Sequence, residues 1–267
     1  MPTLVKAAIL GVVQGLFEFL PVSSTAHLLL AGRALGYDDP GGVFTVMIQL
    51  GSILAVVWLY RAKLIDVATG LTTRPEARRF VLMIALATLP LLVAGALLGS
   101  FVRGVLYGSI IVIATAFIVG GIVMLIVERV RPAPEVLTVD EIPTGRAFAI
   151  GCFQALAIVP GVSRSGGTIV AAMAMRVDRP AAAEFTFFLA MPAMSAAFLH
   201  DLLDLRGHVG AERVLEIAVG FVMAFIASAL VVRPFLGFVR RAGFAPFAWY
   251  RIAFGVLLLA ALAAGWV

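Results

Sequence analysis

Pro160-Gly161-Val162-Ser163-Arg164-Ser165-Gly166-Gly167-Thr168 interrupts an otherwise apolar region of the chain. Residues 144–159 lead into it and residues 165–175 lead away. Pro160 ends the incoming segment, because a proline ring lacks the N–H donor and clashes with the preceding turn. Each limb is shorter than the roughly 20 residues that a spanning helix needs. The stretch therefore reads as the tip of a hairpin that enters a membrane and returns. Non-helical backbone at that depth is tolerated only where protein or a water-filled cavity surrounds it. Arg164 lies in the tip, and an arginine at the centre of a spanning helix costs from about 3 to more than 10 kcal/mol. An anion has to compensate it, and the hydroxyls and glycines around it are the groups that a phosphate-binding loop uses.

Composition agrees with a membrane environment. The chain is 62% hydrophobic and 13% charged, with mean hydropathy +1.09, against about 45–50% and about 25% in soluble domains. The apolar runs have helix length and lack the alternation of a membrane barrel. No cleavable signal peptide is expected, since Gln14 and Glu18 interrupt the first apolar stretch and no small-residue cleavage site follows. The single Cys152 excludes an internal disulfide. The net charge of +5 reflects loop arginines and gives no argument for nucleic acid.

A second hairpin resembles the first. Residues 4–20 end at Pro21, a serine-containing turn follows, and residues 23–36 return. Gly11-Val12-Val13-Gln14-Gly15-Leu16 aligns with Gly151-Cys152-Phe153-Gln154-Ala155-Leu156, Val22-Ser23 with Val162-Ser163, and Phe44-Thr45 with Phe185-Thr186. Chance similarity among apolar segments is the alternative, but the polar positions match as well. Six further segments reach spanning length, which gives three spans after each hairpin. Three is odd, so the second repeat must be inverted, and such repeats place a binding site where their broken helices meet. The expected fold is an all-α polytopic membrane protein of two inverted repeats, each a re-entrant helix hairpin plus three transmembrane helices. The first repeat covers 1–131 (hairpin 4–36; spans 42–60, 80–101 and 105–127). A linker covers 132–143. The second covers 144–267 (hairpin 144–176; spans 182–200, 214–236 and 247–266).

Arginine and lysine set the orientation. Arg61, Lys63, Arg74, Arg78, Arg79, Arg129, Arg131, Arg146, Arg176, Arg179, Arg233, Arg240, Arg241 and Arg251 fall on one side of this topology. Lys6, Arg33, Arg103, Arg206 and Arg213 fall on the other. The positive-inside rule makes the first side cytoplasmic, with both termini and the first hairpin's mouth outside. Tyr250-Arg251 reads as a membrane-interface pair, and His200 and His208 as solvated loop residues.

Several residues in the apolar segments can carry chemistry. Arg164 offers a planar fork of donors suited to phosphate oxygens, or it pairs with a buried carboxylate or snorkels to the interface. Ser163, Ser165 and Thr168 add hydroxyls, and Gly166 and Gly167 are expected to expose N–H groups at the start of the returning helix. Glu18 lies four residues after Gln14, on the same helix face. It reads as a metal ligand, a water-positioning group or the structural partner of Arg164. His27, after Pro-Val-Ser-Ser-Thr-Ala, reads as a base, an acid, a nucleophile or a packed side chain. Ser23 and Ser24 read as helix caps or reactive hydroxyls. Gln49 and Glu184 line a cavity or bond across helices.

Three of these motifs give the chain a resemblance to the undecaprenyl-diphosphate phosphatases, also called bacitracin-resistance proteins, over essentially its whole length. They are Gln14-Gly15-Leu16-Phe17-Glu18 as (E/Q)-x-x-x-E, Pro160–Thr168 as P-G-x-S-R-S-x-x-T, and His27 after Pro-Val-Ser-Ser-Thr. The resemblance implies hydrolysis of undecaprenyl pyrophosphate, a polyprenyl lipid, to recycle the carrier for peptidoglycan synthesis. It implies a divalent cation, Mg or Ca, held by Glu18 and Gln14, and a multi-pass protein of the bacterial inner membrane with its site open to the periplasmic face. Carried over by motif, Glu18, His27, Ser24 and Arg164 are catalytic, with Ser24, His27 or water as nucleophile. Ser163, Arg164, Ser165, Gly166, Gly167 and Thr168 bind phosphate. Gln14 stands where some members have a second glutamate, which leaves one carboxylate fewer for the metal. A polyprenyl-phosphate flippase or other transporter is the alternative activity, and the sequence accommodates a homodimer as readily as a monomer.

Overall fold

Eleven α-helices order the chain in a computed structural model that describes residues 1–39, 42–106, 108–204 and 211–265. They are α1 (Thr3–Phe17), α2 (Ser24–Leu35), α3 (Val43–Leu59), α4 (Arg61–Gly70), α5 (Pro75–Phe101), α6 (Ile110–Val130), α7 (Thr144–Gln154), α8 (Arg164–Ala174), α9 (Arg179–Asp204), α10 (Ala211–Ala242) and α11 (Ala245–Ala263). No strand forms among the described residues, and the only β contact there is an isolated bridge between Val136 and Val177. Both hairpins are present, α1–α2 and α7–α8. Five helices are long and apolar enough to cross a membrane, namely those at Pro75–Phe101, Ile110–Val130, Arg179–Leu199, Arg213–Ala242 and Ala245–Ala263. The expected span 42–60 corresponds to α3, which bends by 73° into α4, a helix that the charged stretch 61–79 did not announce. Two other expected spans have different bounds: 105–127 corresponds to α6, which starts at Ile110, and 214–236 to α10, which runs on to Ala242. Arg206 and His208, the side chains of Arg103 and His200, and the end of the final span lie outside the described residues.

α9 occupies the centre. Half of its most apolar window is buried, against 17% for α5. Ala181, Ala182, Ala183 and Ala190 let neighbours approach, while Phe185, Phe187 and Phe188 fill the space between α3, α5 and α10. Small residues also bring each hairpin against its neighbour. α1 packs on α10 and α7 on α5. A Cβ on Gly11 would lie 2.3 Å from the Gly220 carbonyl oxygen, and one on Gly151 would lie 2.2 Å from that of Ala87. The two glycines hold aligned positions in the hairpins, and each meets the penultimate long helix of the opposite half.

The linker binds one end of the bundle together. Asp140 pairs with Lys63 at 2.6 Å, and Glu135 pairs with Arg146 at 2.6 Å and with Arg176. Glu128 pairs with Arg179, and Arg131 with Asp178 at 3.9 Å. Hydrogen bonds from Arg146 and Arg176 hold the Glu135 carboxyl below its ordinary pKa. Its contribution to stability is therefore present above the ordinary carboxylate range and is lost on acidification through the folded value. The other end is tied by Arg213, which reaches Asp39 at 2.9 Å and Glu216 at 3.0 Å.

Gly11→Val and Gly151→Val are each expected to lower stability by about 1–3 kcal/mol through overpacking. The change is read as a lower unfolding midpoint in detergent. Gly237→Ala, where an added Cβ meets no atom within 4 Å, should leave the midpoint unchanged or raise it.

Candidate functional site

Each hairpin tip forms because a helix stops at an unusual turn. α1 ends at Phe17, and the chain turns through Pro21 to Ser23, whose φ is 66°. In the second hairpin the chain passes Pro160 and Gly161, at φ 92°, to Ser163 at φ 70°. Gly161 is needed there twice over, for its φ and because a Cβ would lie 2.7 Å from the Ile113 carbonyl oxygen. A serine at positive φ costs on the order of 1–3 kcal/mol and persists only when its surroundings enforce it. Both serines open the returning helix. Ser163 caps α8 by accepting from the Gly166 N–H at 3.1 Å, whereas Ser23 makes no side-chain cap.

Glu18 is the hub. Its side chain is 5% exposed. Its Oε2 accepts from Gln14 Nε2 and from Ser24 Oγ, both at 2.7 Å, and its Oε1 accepts from Arg164 Nη2 at 2.6 Å. The last bond joins the two tips as an ion pair. The tips meet a second time through Ser165, whose hydroxyl donates to the Leu20 carbonyl at 2.8 Å. Ser163 Oγ lies 3.1 Å from Ser165 Oγ and so donates to it. Within this cluster, two buried groups lack a partner: Arg164 Nη1, a donor, and Gln14 Oε1, an acceptor.

A cavity of about 590 Å³ opens over this cluster. Glu18, Ser23, Ser24, Ser163, Arg164 and Ser165 make its polar part, and α5, α9 and the stretch 157–159 make apolar walls, including Leu91, Leu92, Ala96, Ile158 and Ala197. A second cavity of about 640 Å³ lies beside it between α2, α3 and α5. The two share Thr25, Gln49, Gly95, Ile158 and Ala197. A few convergent polar groups under apolar walls suit a molecule with a charged head and a greasy tail.

The sequence expectations divide here. Glu18, Ser24, Ser163, Arg164 and Ser165 come together at the cavity, and Gln14 stands directly behind Glu18. Gly166 and Gly167 do not offer free N–H groups. Ser163 Oγ takes one and the Ser163 carbonyl the other, at 2.9 Å, because the tip turns directly into helix. Thr168 is fully buried away from the cavity, donating to Gln154 Oε1 at 3.0 Å and to the Arg164 carbonyl at 2.9 Å. It fastens α7 to α8. Gln49 lines both cavities, and Glu184 accepts from Tyr60 at 3.3 Å. His27 is not among the lining residues. Its ring is sandwiched between Phe17 at 4.2 Å and Phe254 at 4.8 Å. Its Nδ1 lies 2.8 Å from the Ser23 carbonyl, which only a protonated nitrogen can satisfy, so in the neutral ring Nε2 accepts from the Tyr250 hydroxyl at 2.6 Å.

Tyr250 and Arg251 do not form a membrane-interface pair. Arg251 is 1% exposed. It donates to the carbonyls of Pro21 at 3.1 Å, Ala116 at 3.0 Å and Gly161 at 3.0 Å, and its guanidinium stacks over Phe117. Gly120 makes room for it, since a Cβ there would lie 2.2 Å from Nη2. The sequence gives one faint signal of this, an arginine six residues into an apolar helix.

Among the described residues no three His, Cys, Asp or Glu side chains gather as a metal cage. Glu18 beside the unpartnered Gln14 Oε1 is nevertheless a donor set of the hard oxygen kind that magnesium and calcium take, with other ligands coming from substrate or water.

Residues 7–257 match the family model for bacitracin resistance protein BacA. The chain is 48% identical over 260 residues to undecaprenyl-diphosphatase 1 of Agrobacterium fabrum (strain C58 / ATCC 33970), covering 97% of each chain. It is 51% identical over 263 residues to undecaprenyl-diphosphatase of Phenylobacterium zucineum (strain HLK1), covering 98% of this chain and 99% of that one. To undecaprenyl-diphosphatase of Cereibacter sphaeroides (strain ATCC 17025 / ATH 2.4.3) it is 50% identical, covering 98% of both.

Thr168→Val should destabilise the protein by about 1–3 kcal/mol, because Gln154 then has no partner at either end of its amide. Thermal unfolding in detergent checks this.

Proposed function

Since the chain belongs to the bacitracin resistance protein BacA family, we propose that the cavity between the hairpin tips is the active site of an undecaprenyl-diphosphatase. The chain is a multi-pass membrane hydrolase that converts undecaprenyl pyrophosphate and water into undecaprenyl phosphate and inorganic phosphate. This returns the carrier lipid to peptidoglycan synthesis and accounts for bacitracin resistance. The observation that carries the site reading is the Glu18–Arg164 pair, at 2.6 Å, at the polar end of an apolar-walled cavity.

Arg164 enters the reaction with one donor on Glu18 and another without a partner. The diphosphate draws the guanidinium to its oxygens, and the dipole of α8 adds to the pull on the anion. The hydroxyls of Ser163 and Ser165 add to it once they turn from their bonds to Ser165 and Leu20. Glu18 Oε1 is then released from Arg164. Ser24 Oγ already donates to Glu18, so Glu18 takes that proton as Oγ attacks the terminal phosphorus. The bond to the bridging oxygen breaks and undecaprenyl phosphate leaves with its electron pair. Glu18 passes that proton to the departing oxygen of the lipid phosphate. Water then attacks the phosphoserine with Glu18 as its base, and the proton returns to Ser24 Oγ as inorganic phosphate leaves. His27 works from behind the tip: its Nδ1–H holds the Ser23 carbonyl and keeps Ser24 aimed at Glu18. Glu18 and Gln14 would hold a divalent cation, magnesium or calcium, which when bound neutralises charge on the phosphate oxygens.

Two further parts of this reading concern architecture. The halves form an inverted repeat, supported by the equivalent approaches of Gly11 and Gly151 and the equivalent backbone of Ser23 and Ser163. The protein sits in the inner membrane with the arginine-rich linker end cytoplasmic, both termini outside and the cavity open to the outer face.

Glu18→Ala, Arg164→Ala and Ser24→Ala should each lower phosphate release from undecaprenyl pyrophosphate by at least about 100- to 1,000-fold, while the purified variants remain folded. Wild-type turnover in any one of them removes that residue from the scheme. Stripping divalent cations with a chelator should stop release by the wild type, and adding magnesium or calcium back should restore it.

A further inference from the structure

Arg251 is the largest fully buried side chain among the described residues, and none of its hydrogen-bond partners there is a carboxylate. Its acceptors are backbone carbonyls, and two of them belong to opposite hairpin tips. Pro21 lies three residues after Glu18, and Gly161 lies three residues before Arg164. One rigid guanidinium plane therefore spans the two turns that present Glu18 and Arg164. The third bond, to Ala116, anchors that plane to α6.

The other links between the tips are Glu18–Arg164 and Ser165–Leu20. Both are made by residues that face the phosphate, and the first has to open when Arg164 turns to substrate. Arg251 lies outside the cavity lining, so a molecule in the cavity does not compete for its bonds. We infer that Arg251 is a positioning residue for the hydrolysis: it fixes the register of the two tips, so that Arg164 and Glu18 act on the same phosphate after their own ion pair has opened. Lysine cannot replace it, because a single ammonium nitrogen cannot reproduce a planar fork bonded to both tips. The inference rests on the reading of the cavity as a diphosphatase site.

Two substitutions disturb this fork by independent routes. Arg251→Lys keeps the charge and loses the geometry. Gly120→Ala keeps Arg251 and pushes its Nη2 aside. Both variants and the wild type are purified in detergent, and initial rates of phosphate release are measured against undecaprenyl pyrophosphate concentration with magnesium present. Each variant should keep a folded, monodisperse form. In each, kcat should fall about 100-fold, the loss that a misplacement of about 1 Å brings. KM should stay within about threefold of wild type, since the groups that hold substrate are unchanged. The double variant should lose little more than either single one, because both act on one contact. Wild-type kcat in either folded variant overturns the inference. So does a loss confined to the amount of folded protein, or a raised KM at unchanged kcat, which would put Arg251 in the fold alone or in substrate binding. A wild type that releases no phosphate would instead remove the diphosphatase reading itself.

Discussion

Backbone carbonyls left over where a helix breaks inside an apolar bundle must find donors, and this constraint organises the centre of the molecule. The turns at Pro21 and Gly161 are such breaks, and no solvated loop surrounds them. Arg251 supplies the donors, with Nη1 on one turn and Nη2 on the other. A buried guanidinium is costly unless it is hydrogen-bonded; stacking on Phe117 and the bond to α6 add to the two turn bonds, and Nε is left without a partner. Once the turns are fixed, the residues three positions away on each side, Glu18 and Arg164, reach each other at 2.6 Å.

The site then follows from unequal satisfaction. Glu18 is saturated by Gln14, Ser24 and Arg164, while one Arg164 nitrogen and one Gln14 oxygen have no partner. Orphaned polar atoms cost free energy, and for these two a bound anion and cation are the groups that would relieve them. Thr168 and His27 lie one layer back and hold the tips in shape by bonding Gln154 and the Ser23 carbonyl.

Much of this could be read from the chain because its signals are local. Pro21 and Pro160 end short apolar limbs, and that alone placed both hairpins. The spacing of Gln14 and Glu18 put them on one face, and an arginine too costly to leave unpaired pointed to a carboxylate or an anion. The structure supplies the carboxylate. What could not be read depends on groups distant in sequence. Nothing near Arg251 shows that carbonyls 230 and 90 residues away need its donors, so an arginine next to a tyrosine looked like an interface anchor. Gly166, Gly167 and Thr168 looked like phosphate ligands because their chemistry fits. Whether an N–H or a hydroxyl is free depends on where the turn closes, and here it closes on them. The helix α4 was hidden by its charge, and its bend from α3 leaves no mark in a hydropathy pattern.

α5 has a consequence of its own. It is the least buried of the long helices, a proline at position 90 sits inside it, and its second half forms a wall of the cavity through Leu91, Leu92, Gly95, Ala96 and Ser100. α5 thus forms a wall between the polar end of the cavity and the outside of the bundle. A lipid substrate arriving there searches in two dimensions and never has to leave the leaflet. Its effective concentration is a mole fraction of the membrane rather than a molarity in water. Turnover in vesicles will therefore follow surface dilution by other lipids, and the enzyme is matched to a substrate confined to a thin sheet.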